Sequence, residues 1–277
     1  MSNIYTFTLG DFECTVIKDS GAEMVADEFF STVPEGERIQ AIANSPYDPA
    51  AIALSQNILL LEKDGQRIII ETGNTTNDSD GTDFFPLLQE AGIEPESIDI
   101  VTLTHAHADH YSGMLFEDGS KRFPNANYVM WKKEWDYYSS DERMAIELER
   151  GQARYDYIKK YLGGLEPYLS FISEENDMLA DGIRAIPAIG HTKHHVRFEV
   201  TSQGKTLHIL GDAFIHPLCL DNPHWTFPFD GDDEQSIATR RDLRDSVGDD
   251  LVLVYHFPFP GVGYVKRDNG RYSWEEL

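Results

Sequence analysis

The sequence predicts a mixed α/β (α+β) fold made of one domain that covers residues 1–277. Apolar runs on either side of short turns predict β-hairpins, and a stretch with apolar residues at spacings of three and four predicts helices. Four of the predicted strands lead directly into histidine or aspartate side chains. No internal repeat, low-complexity tract or linker divides the sequence, so a single domain is the better interpretation.

Aromatic and β-branched residues around short turns predict three hairpins. Their strands are Tyr5–Leu9 with Phe12–Lys18, Ile58–Glu62 with Arg67–Glu71, and Val196–Val200 with Thr206–Leu210. Four further apolar runs predict single strands, namely Ile98–Leu103, Asn127–Met130, Ile183–Ala188 and, as the last strand, Leu251–Tyr255. Residues 19–55 contain several prolines and no sustained period, so they predict a long loop region that could hold short helices.

Helices are predicted at three places. Asp83–Ala91 is stopped by Gly92, and the polar stretch Asp233–Val247 precedes the last strand. Apolar residues from Lys132 to Leu162 share one helical face, so we expect a helical insertion near residues 131–165. The members of that face are Met144, Leu148, Gly151, Tyr155, Ile158 and Leu162. The stretch is also rich in aromatic residues, which we expect to pack in the core, with the lining of a substrate cleft as the alternative.

Composition restricts the class of partner. Lysine and arginine number 23 against 48 acidic residues, a net charge of −25 that disfavours nucleic acid and anionic membranes. The longest apolar runs, Ile58–Leu61 and Leu251–Tyr255, are far too short for a membrane span. Met1–Asp11 has no signal-peptide pattern, so a cytoplasmic location is expected. Cys14 and Cys219 are expected to be unpaired thiols.

The segment Thr104-His105-Ala106-His107-Ala108-Asp109-His110 follows an apolar strand and places four potential metal ligands within six residues. In an extended segment His105 and His107 point the same way, so one ion can bind both. Asp109 and His110 follow where the chain leaves the strand and can bind a second ion nearby. Imidazole and carboxylate together are the ligands of zinc or a similar first-row metal.

Three more strands end at a potential ligand, which is His191, Asp212 or His256. Each of these residues taken alone would more often be structural. Strand ends gathered at one edge of a sheet are where rigid scaffolds place functional side chains. Their joint occurrence with the histidine cluster therefore favours one metal centre.

The ordered motifs resemble those of the metallo-β-lactamase superfamily. These motifs are His105-x-His107-x-Asp109-His110, Gly190-His191-Thr192, Gly211-Asp212 and the late His256, and the resemblance spans roughly residues 57–264. It implies an αββα sandwich of two mixed β-sheets with helices on the outer faces and a dinuclear site at one edge. It also implies that Asp109 and Asp212 are catalytic.

The resemblance assigns the ligands to two divalent ions per chain. The first ion would bind His105, His107 and His191, the second would bind Asp109, His110 and His256, and Asp212 would bridge both. Zinc is expected, with iron, manganese and cobalt as alternatives. Two carboxylates against two divalent ions leave positive charge, which favours a bridging hydroxide.

The C-terminal part resembles the branch that contains methyl-parathion-hydrolase-like and quorum-quenching lactonase-like enzymes. The segments that carry this resemblance are Asp212–Pro217, Asn222-Pro223, Phe229-Asp230, Arg240-Arg241 and His256–Gly263. Residues expected to support the ligands or line the substrate pocket are Glu71, His216, Phe214, Phe257, Phe259 and Tyr264. Dimers are common in this branch, so a homodimer is one expected assembly.

The sequence departs from the family pattern at several positions. Thr192-Lys193-His194-His195 replaces Thr-Pro-Gly-His and brings a lysine and an extra histidine beside the site. Glu71-Thr72-Gly73 replaces Asp-Thr-Gly, and Gly263-Tyr264 replaces Gly-His. Ile215 stands where acyl-homoserine lactonases commonly have a tyrosine, which weakens a homoserine-lactone interpretation.

We therefore expect a metal-dependent hydrolase whose bridging hydroxide attacks a lactone, an ester or a related electrophile of a small-molecule substrate. No Gly-x-Ser-x-Gly motif is present. The main alternative is an iron-dependent oxidoreductase of the same fold, followed by a phosphotriester or β-lactam hydrolase. A nuclease conflicts with the acidic charge, and a non-catalytic metal-binding protein would more often have lost ligands.

Overall fold

The computed structural model describes residues 2–74 and 84–277, and within these ranges fourteen strands form two seven-stranded sheets. The strands of the first sheet, in chain order, are β1 Ile4–Leu9, β2 Phe12–Met24, β3 Ile52–Lys63, β4 Gln66–Ile70, β5 Ile100–Thr102, β6 Asn127–Trp131 and β7 Leu169–Ile172. Those of the second sheet are β8 Met178–Ala180, β9 Ile183–Pro187, β10 Val196–Ser202, β11 Lys205–Ile209, β12 Leu251–Leu253, β13 Val262–Asp268 and β14 Arg271–Glu276.

Both sheets are mixed. In the first sheet, β1 to β4 pair antiparallel and β4 to β7 pair parallel. In the second sheet, only β11 and β12 pair parallel among the described strands. The three predicted hairpins are therefore found, each with its turn at the expected place.

Helices lie between the strands along the chain. The α-helices in the described residues are α1 Ala26–Phe29, α2 Glu35–Ala43, α3 Phe84–Glu90, α4 Ala108–Tyr111, α5 Lys132–Tyr138, α6 Asp141–Arg150, α7 Gln152–Tyr161, α8 Leu218–Asp221 and α9 Asp233–Ser246. Asp83, the predicted start of one helix, lies outside the described residues.

Strand β3 shows how the layers are built. Ile58 and Leu60 point to one face and pack with α3, α5 and α7, while Leu59 and Leu61 point to the other and pack against the second sheet. This alternation follows from the two-residue period of a strand. A third apolar cluster covers the outer face of the second sheet with α1, α8 and α9. The predicted αββα sandwich is confirmed.

The predicted loop region over residues 19–55 is wrong at its two ends, whereas its middle holds α1 and α2, the short helices that the prediction allowed. Strand β2 continues to Met24 and β3 begins at Ile52, so these two strands pair far beyond the predicted hairpin ends. A register shift between Lys18 and Gly21 lets the strand continue, and the missing Cβ of Gly21 leaves room for the Leu54 carbonyl. Long-range pairing overrides the weak local signal here.

Residues 132–161 form helices as predicted, but the single helical face that was predicted to pass through Gly151 is wrong. Gly151 has φ +140° and separates α6 from α7, and the Ser140 side chain caps the first turn of α6. Leu148 on the predicted apolar face is 46% exposed. Three short helices thus replace one long pattern, and all three lie between β6 and β7.

Four strands have no counterpart in the prediction, namely β7, β8, β13 and β14. Leu251–Leu253 is consequently not the last strand, and β13 extends the sheet from it. Among the residues that the structure describes, no helix combines the length and apolar character needed to cross a membrane.

Candidate metal centre

Seven ligand-type side chains follow the carboxyl ends of four strands and meet at one edge of the sandwich. The strands are β5, β9, β11 and β12. The side chains form two groups in which the potential ligand atoms lie within 4.8 Å of one another. One group is His105, His107, His191 and Asp212, and the other is Asp109, His110 and His256.

The first group surrounds one carboxylate oxygen. Asp212 Oδ2 lies 3.3 Å from His191 Nε2 and 3.8 Å from His105 Nε2. His191 Nε2 also lies 3.0 Å from His107 Nδ1. The rings of His105 and His107 are nearly perpendicular, at 80° and 4.5 Å between centroids. Three imidazole nitrogens and one carboxylate oxygen therefore converge on one small volume.

The second group lies beside the first. His256 Nε2 is 3.4 Å from Asp109 Oδ2, and His110 Nε2 is 3.9 Å from the same oxygen. Helix α4 begins after His107 and holds Asp109 and His110 in its single turn. This helical turn brings Asp109 and His110 into one group with His256, although the His110 ring still lies 4.1 Å from that of His105.

Asp212 contacts both groups. Besides its contacts to the first group, Oδ2 lies 3.1 Å from His256 Nε2, and Oδ1 lies 3.4 Å from His110 Nε2. Asp212 sits in the turn after β11, where Gly211 has φ +51° and packs against Thr104. A side chain at position 211 would clash with Thr104, so the glycine permits the close approach of the two strand ends.

The donor set fits divalent metal ions. His105 Nε2, His110 Nε2 and Asp212 Oδ1 are buried and have no hydrogen-bond partner in the part of the chain that the structure describes. Buried polar atoms without partners are rare in folded proteins. Cations placed in the two groups would satisfy all three atoms, and imidazole with carboxylate suits zinc and its first-row neighbours.

Electrostatics divides the histidines. Burial lowers the pKa of His105 and of His107 well below the ordinary value, so both are neutral and available as ligands. Burial also disfavours charge on His110, but the carboxylates of Glu71 and Asp212 outweigh it and raise its pKa well above the ordinary value. Against the same burial, the Asp212 and Asp109 carboxylates raise the pKa of His256 to about 10. The carboxylates therefore favour positive charge at His110 and His256, whereas burial disfavours it at His105 and His107.

A second layer of ion pairs and hydrogen bonds lies behind the histidine rings of the cluster. His110 Nδ1 lies 2.9 Å from Glu71 Oε2, and the other Glu71 oxygen accepts a hydrogen bond from the Thr104 amide at 3.1 Å. His256 Nδ1 donates to the Ser55 carbonyl at 2.9 Å. Partners of this kind fix the tautomer of a metal-binding histidine.

His191 has the longest chain of support. Its Nδ1 lies 3.2 Å from Asp230 Oδ1, and Arg240 Nη2 donates to both Asp230 oxygens at 3.0 and 2.8 Å. Arg240 is fully buried. The sequence interpretation used Phe229-Asp230 and the arginine pair only as family markers, because nothing local to Asp230 indicates that it contacts His191.

Glu134 is a second support that the sequence interpretation missed. Its carboxylate accepts a hydrogen bond from the Ala106 amide at 3.0 Å, between the first two histidines. Burial raises the pKa of Glu134 to about 7. A buried glutamate among the aromatic residues of α5 was the available signal, and only the tertiary structure gives it a partner.

The six residues expected to support the ligands or to line the pocket lie in different parts of the structure. Glu71 contacts the ligand His110, as described. Phe214 and Phe257 are buried in the apolar cluster on the outer face of the second sheet. His216 packs there against Phe30 and Tyr47 and accepts a hydrogen bond from the Leu218 amide. The remaining two are Phe259, which packs against the core between the sheets, and Tyr264, which lies under the Lys266 ammonium.

A cavity of about 800 Å³ opens beside the first ligand group. His107 and His191 form part of its wall, together with Tyr137 and Tyr138 from α5 and the loop around Phe229. Its volume is in the range of small-molecule sites. Part of the aromatic stretch therefore lines a cavity, as the alternative interpretation of that stretch required.

Comparison with known families identifies the fold. Residues 51–256 match the family model of the metallo-beta-lactamase superfamily, which is more than half of the chain. The chain belongs to the metallo-beta-lactamase superfamily. This membership confirms the family predicted from the ordered motifs, and with the histidine and aspartate groups it supports a metal-dependent hydrolase. A comparison with curated proteins finds no match.

Solved structures of this superfamily share the fold over nearly the whole chain. AidC, a dizinc quorum-quenching lactonase in complex with its product, has a TM-score of 0.88 and 22% identity, covering 99% of this chain and 97% of its own. The hydrolase AbOPH has a TM-score of 0.87 and 23% identity, covering 100% and 98%. A mutant of AiiA from B. thuringiensis, with N-decanoyl-L-homoserine bound, has a TM-score of 0.60 and 15% identity, covering 91% and 94%. At these identities the likeness establishes the fold alone.

Proposed function

We propose that this protein is a hydrolase that uses two divalent metal ions to cleave a lactone, an ester or a related small-molecule electrophile. His105, His107 and His191 would hold one ion, and Asp109, His110 and His256 the other. Asp212 would bridge them. Zinc is the expected metal, because imidazole and carboxylate are its usual ligands.

The contacts of Asp212 carry this proposal. One carboxylate lies within 3.8 Å of His105 and His191 on one side and within 3.4 Å of His110 and His256 on the other. A structural carboxylate would pair with one or two partners. A carboxylate set between two groups of imidazoles is the arrangement that two adjacent cations require.

Divalent metal ions at this cluster would lower the pKa of a water molecule and polarise the carbonyl or phosphoryl oxygen under attack. The protein itself has to position the substrate and move a proton. Asp109 is suited to moving a proton, because its side chain is 31% exposed whereas that of Asp212 is 4% exposed. The Tyr255 hydroxyl donates to the Asp109 carbonyl at 2.5 Å and fixes this turn of the chain.

The cavity wall is suited to positioning the substrate. The ring of Tyr138 lies 6.1 Å from that of His107, at 88°, and both line the cavity. An acyl group held there would present its carbonyl to the ligand cluster. AidC is a quorum-quenching lactonase, and its similarity to this chain supports a lactone as one substrate class.

A hydrolysis panel on metal-replete protein tests the proposal. The substrates are lactones of several chain lengths, aryl esters, a phosphotriester and a β-lactam, and the matched variants are His107→Ala and Asp212→Ala. We expect one substrate class to be cleaved, with the activity lost and the metal content reduced in both variants. Unchanged rates for Asp212→Ala would contradict its bridging role. If no substrate of the panel is hydrolysed although two metals are bound, the iron-dependent oxidoreductase is favoured.

A further inference from the structure

The cavity beside the ligand cluster has a cationic wall in a protein of net charge −25. Arg143, Arg150 and Arg154 line it from α6 and α7, and Lys193 lines it from the loop after His191. Arg150 and Arg154 have side chains about half exposed, at 54% and 52%. Their guanidinium groups are therefore accessible from the cavity.

One carboxylate belongs to this cluster. Glu147 is buried, with 1% of its side chain exposed, and it pairs with Arg143, Arg150 and Arg154. One negative charge against three arginines leaves two positive charges. A buried glutamate needs only one guanidinium with good geometry to be compensated. The second and third arginines are thus more than a structural ion pair requires.

The other acidic groups of the cavity leave this excess in place. Asp230 is buried and already neutralised by Arg240. Asp232 is exposed at the start of α9, where it accepts a hydrogen bond from the Gln235 amide. Lys193 has no ion pair with any residue that the structure describes.

The cationic wall is connected to the ligand cluster through two tyrosines. Tyr138 contacts the His107 ring and also lies 5.0 Å from the Arg143 guanidinium. Tyr137 has the Lys193 ammonium over its ring at 5.2 Å and the Arg143 guanidinium at 5.8 Å. A ligand in this cavity could therefore contact the cations at one end and the metal cluster at the other.

We propose that the substrate carries an anionic group, a carboxylate or a phosphate, on the part remote from the bond that is cleaved. Arg150, Arg154 and Lys193 bind this group. The planar guanidinium donates two parallel hydrogen bonds to either anion. This inference rests on the proposed hydrolase and names its substrate class.

The charge of the whole protein makes this wall necessary for such a substrate. A net charge of −25 repels anions from most of the surface. Local cations can reverse that repulsion within a Debye length, about 8–10 Å at physiological salt. Anion binding here is consequently expected to weaken as the salt concentration rises.

Paired substrates test the proposal without any mutation. 4-Nitrophenyl hexanoate and the mono-4-nitrophenyl ester of adipic acid have the same leaving group and chain length but differ in one terminal carboxylate. The 4-nitrophenyl ester of a hexanoate phosphorylated at its far end is the phosphate counterpart. We expect kcat/KM to be about tenfold higher for at least one anionic ester, equivalent to about 1.4 kcal/mol, and the preference to shrink when salt is raised from 50 to 500 mM. Equal values for all three esters would overturn the inference.

Variants test which residues cause the preference for anionic esters. Arg150→Gln, Arg154→Gln and Lys193→Gln should each lower the ratio of anionic to neutral kcat/KM several-fold, mainly through KM of the anionic ester. Arg241→Gln and Lys205→Gln are exposed controls outside the cavity that should keep the ratio. If the controls lower the ratio as much as the cavity variants, the preference comes from net charge and the inference is wrong.

A binding measurement separates this inference from the proposed function. Calorimetry with adipate and hexanoate on metal-replete protein should show tighter binding of adipate, and Arg154→Gln should reduce the difference. Tighter adipate binding without hydrolysis of any ester, lactone, phosphotriester or β-lactam would reject the hydrolase and keep the anion site. Hydrolysis of neutral esters, with adipate binding no tighter than hexanoate, would keep the hydrolase and reject the anion site.

Discussion

Replacing Glu71 by glutamine tests how far the metal centre depends on the hydrogen bonds behind its ligands. The Glu71 carboxylate is 2% exposed and faces two donors, the Thr104 amide at 3.1 Å and His110 Nδ1 at 2.9 Å. If Nε2 binds a metal ion, the proton of His110 is on Nδ1 and faces Glu71. Glutamine has one acceptor oxygen and one donor nitrogen in this place. Whichever way the amide turns, one donor therefore faces another donor.

The size of the effect follows from this lost acceptor. Leaving a buried polar group without its partner costs about 1–3 kcal/mol, so Glu71→Gln should lower the free energy of unfolding by about that amount. Loss of the polar partner behind a metal-binding histidine typically weakens metal affinity 10- to 100-fold. The loss should concern the ion at His110 more than the ion at His105, because only His110 contacts Glu71 directly.

Two assays separate these effects. Zinc competition against a chromophoric chelator measures the two affinities, and urea unfolding of chelator-treated protein measures stability without metal. Glu62→Gln is the matched control, because Glu62 lies in β3 of the same sheet and pairs with Arg67. Wild-type affinity for both ions in Glu71→Gln would refute the orienting role of this carboxylate.

Three further predictions concern buried groups outside the ligand set. Burial raises the folded pKa of Glu134 to about 7 from an ordinary 4.5, so its favourable contribution is complete below about pH 4.5 and is lost as the pH rises through 7. Urea unfolding of chelator-treated protein should therefore show Glu134→Gln gaining stability over wild type between pH 5 and pH 8, by roughly 3 kcal/mol at most; a constant difference would contradict this. Burial raises the pKa of Cys14 to about 12 and that of Cys219 to about 11, so a thiol reagent at pH 8 should label neither until the protein unfolds. Trp135 is 8% exposed and packs in the core. Trp135→Ala should therefore lower the free energy of unfolding by about 3–5 kcal/mol and reduce the hydrolysis rates of all substrates together. A changed substrate preference would instead place Trp135 at the pocket.

The ligand cluster could be predicted because its signals are local. His105, His107, Asp109 and His110 lie in one short segment, and each of the other ligands follows directly after an apolar strand. Strands end where the apolar run ends, so the polar residue that follows is set at a sheet edge. The continuous apolar run Ile58–Leu61 in β3 likewise predicts a buried strand from sequence alone.

The supports behind the ligands could not be predicted in the same way. Asp230 lies 39 residues from His191 in sequence, and its contact depends on how the loop before α9 returns to the cluster. Strands β13 and β14 carry charged residues on their exposed positions, so no sustained apolar run marks them. Gly151 ended a helix that the apolar spacing alone would have continued. In each case a tertiary contact or a backbone conformation decided the structure.

The proposed function and the proposed anion site assign reaction type and substrate choice to different parts of this chain. The seven potential ligands follow strand ends of the αββα sandwich, and they determine which reaction the site can support. The cationic wall comes from α6 and α7, the helices between β6 and β7, and from Lys193, which replaces the family's proline. Substitutions in the wall can therefore change substrate preference while the ligand cluster keeps its geometry, because no arginine of the wall contacts a ligand side chain in the described residues.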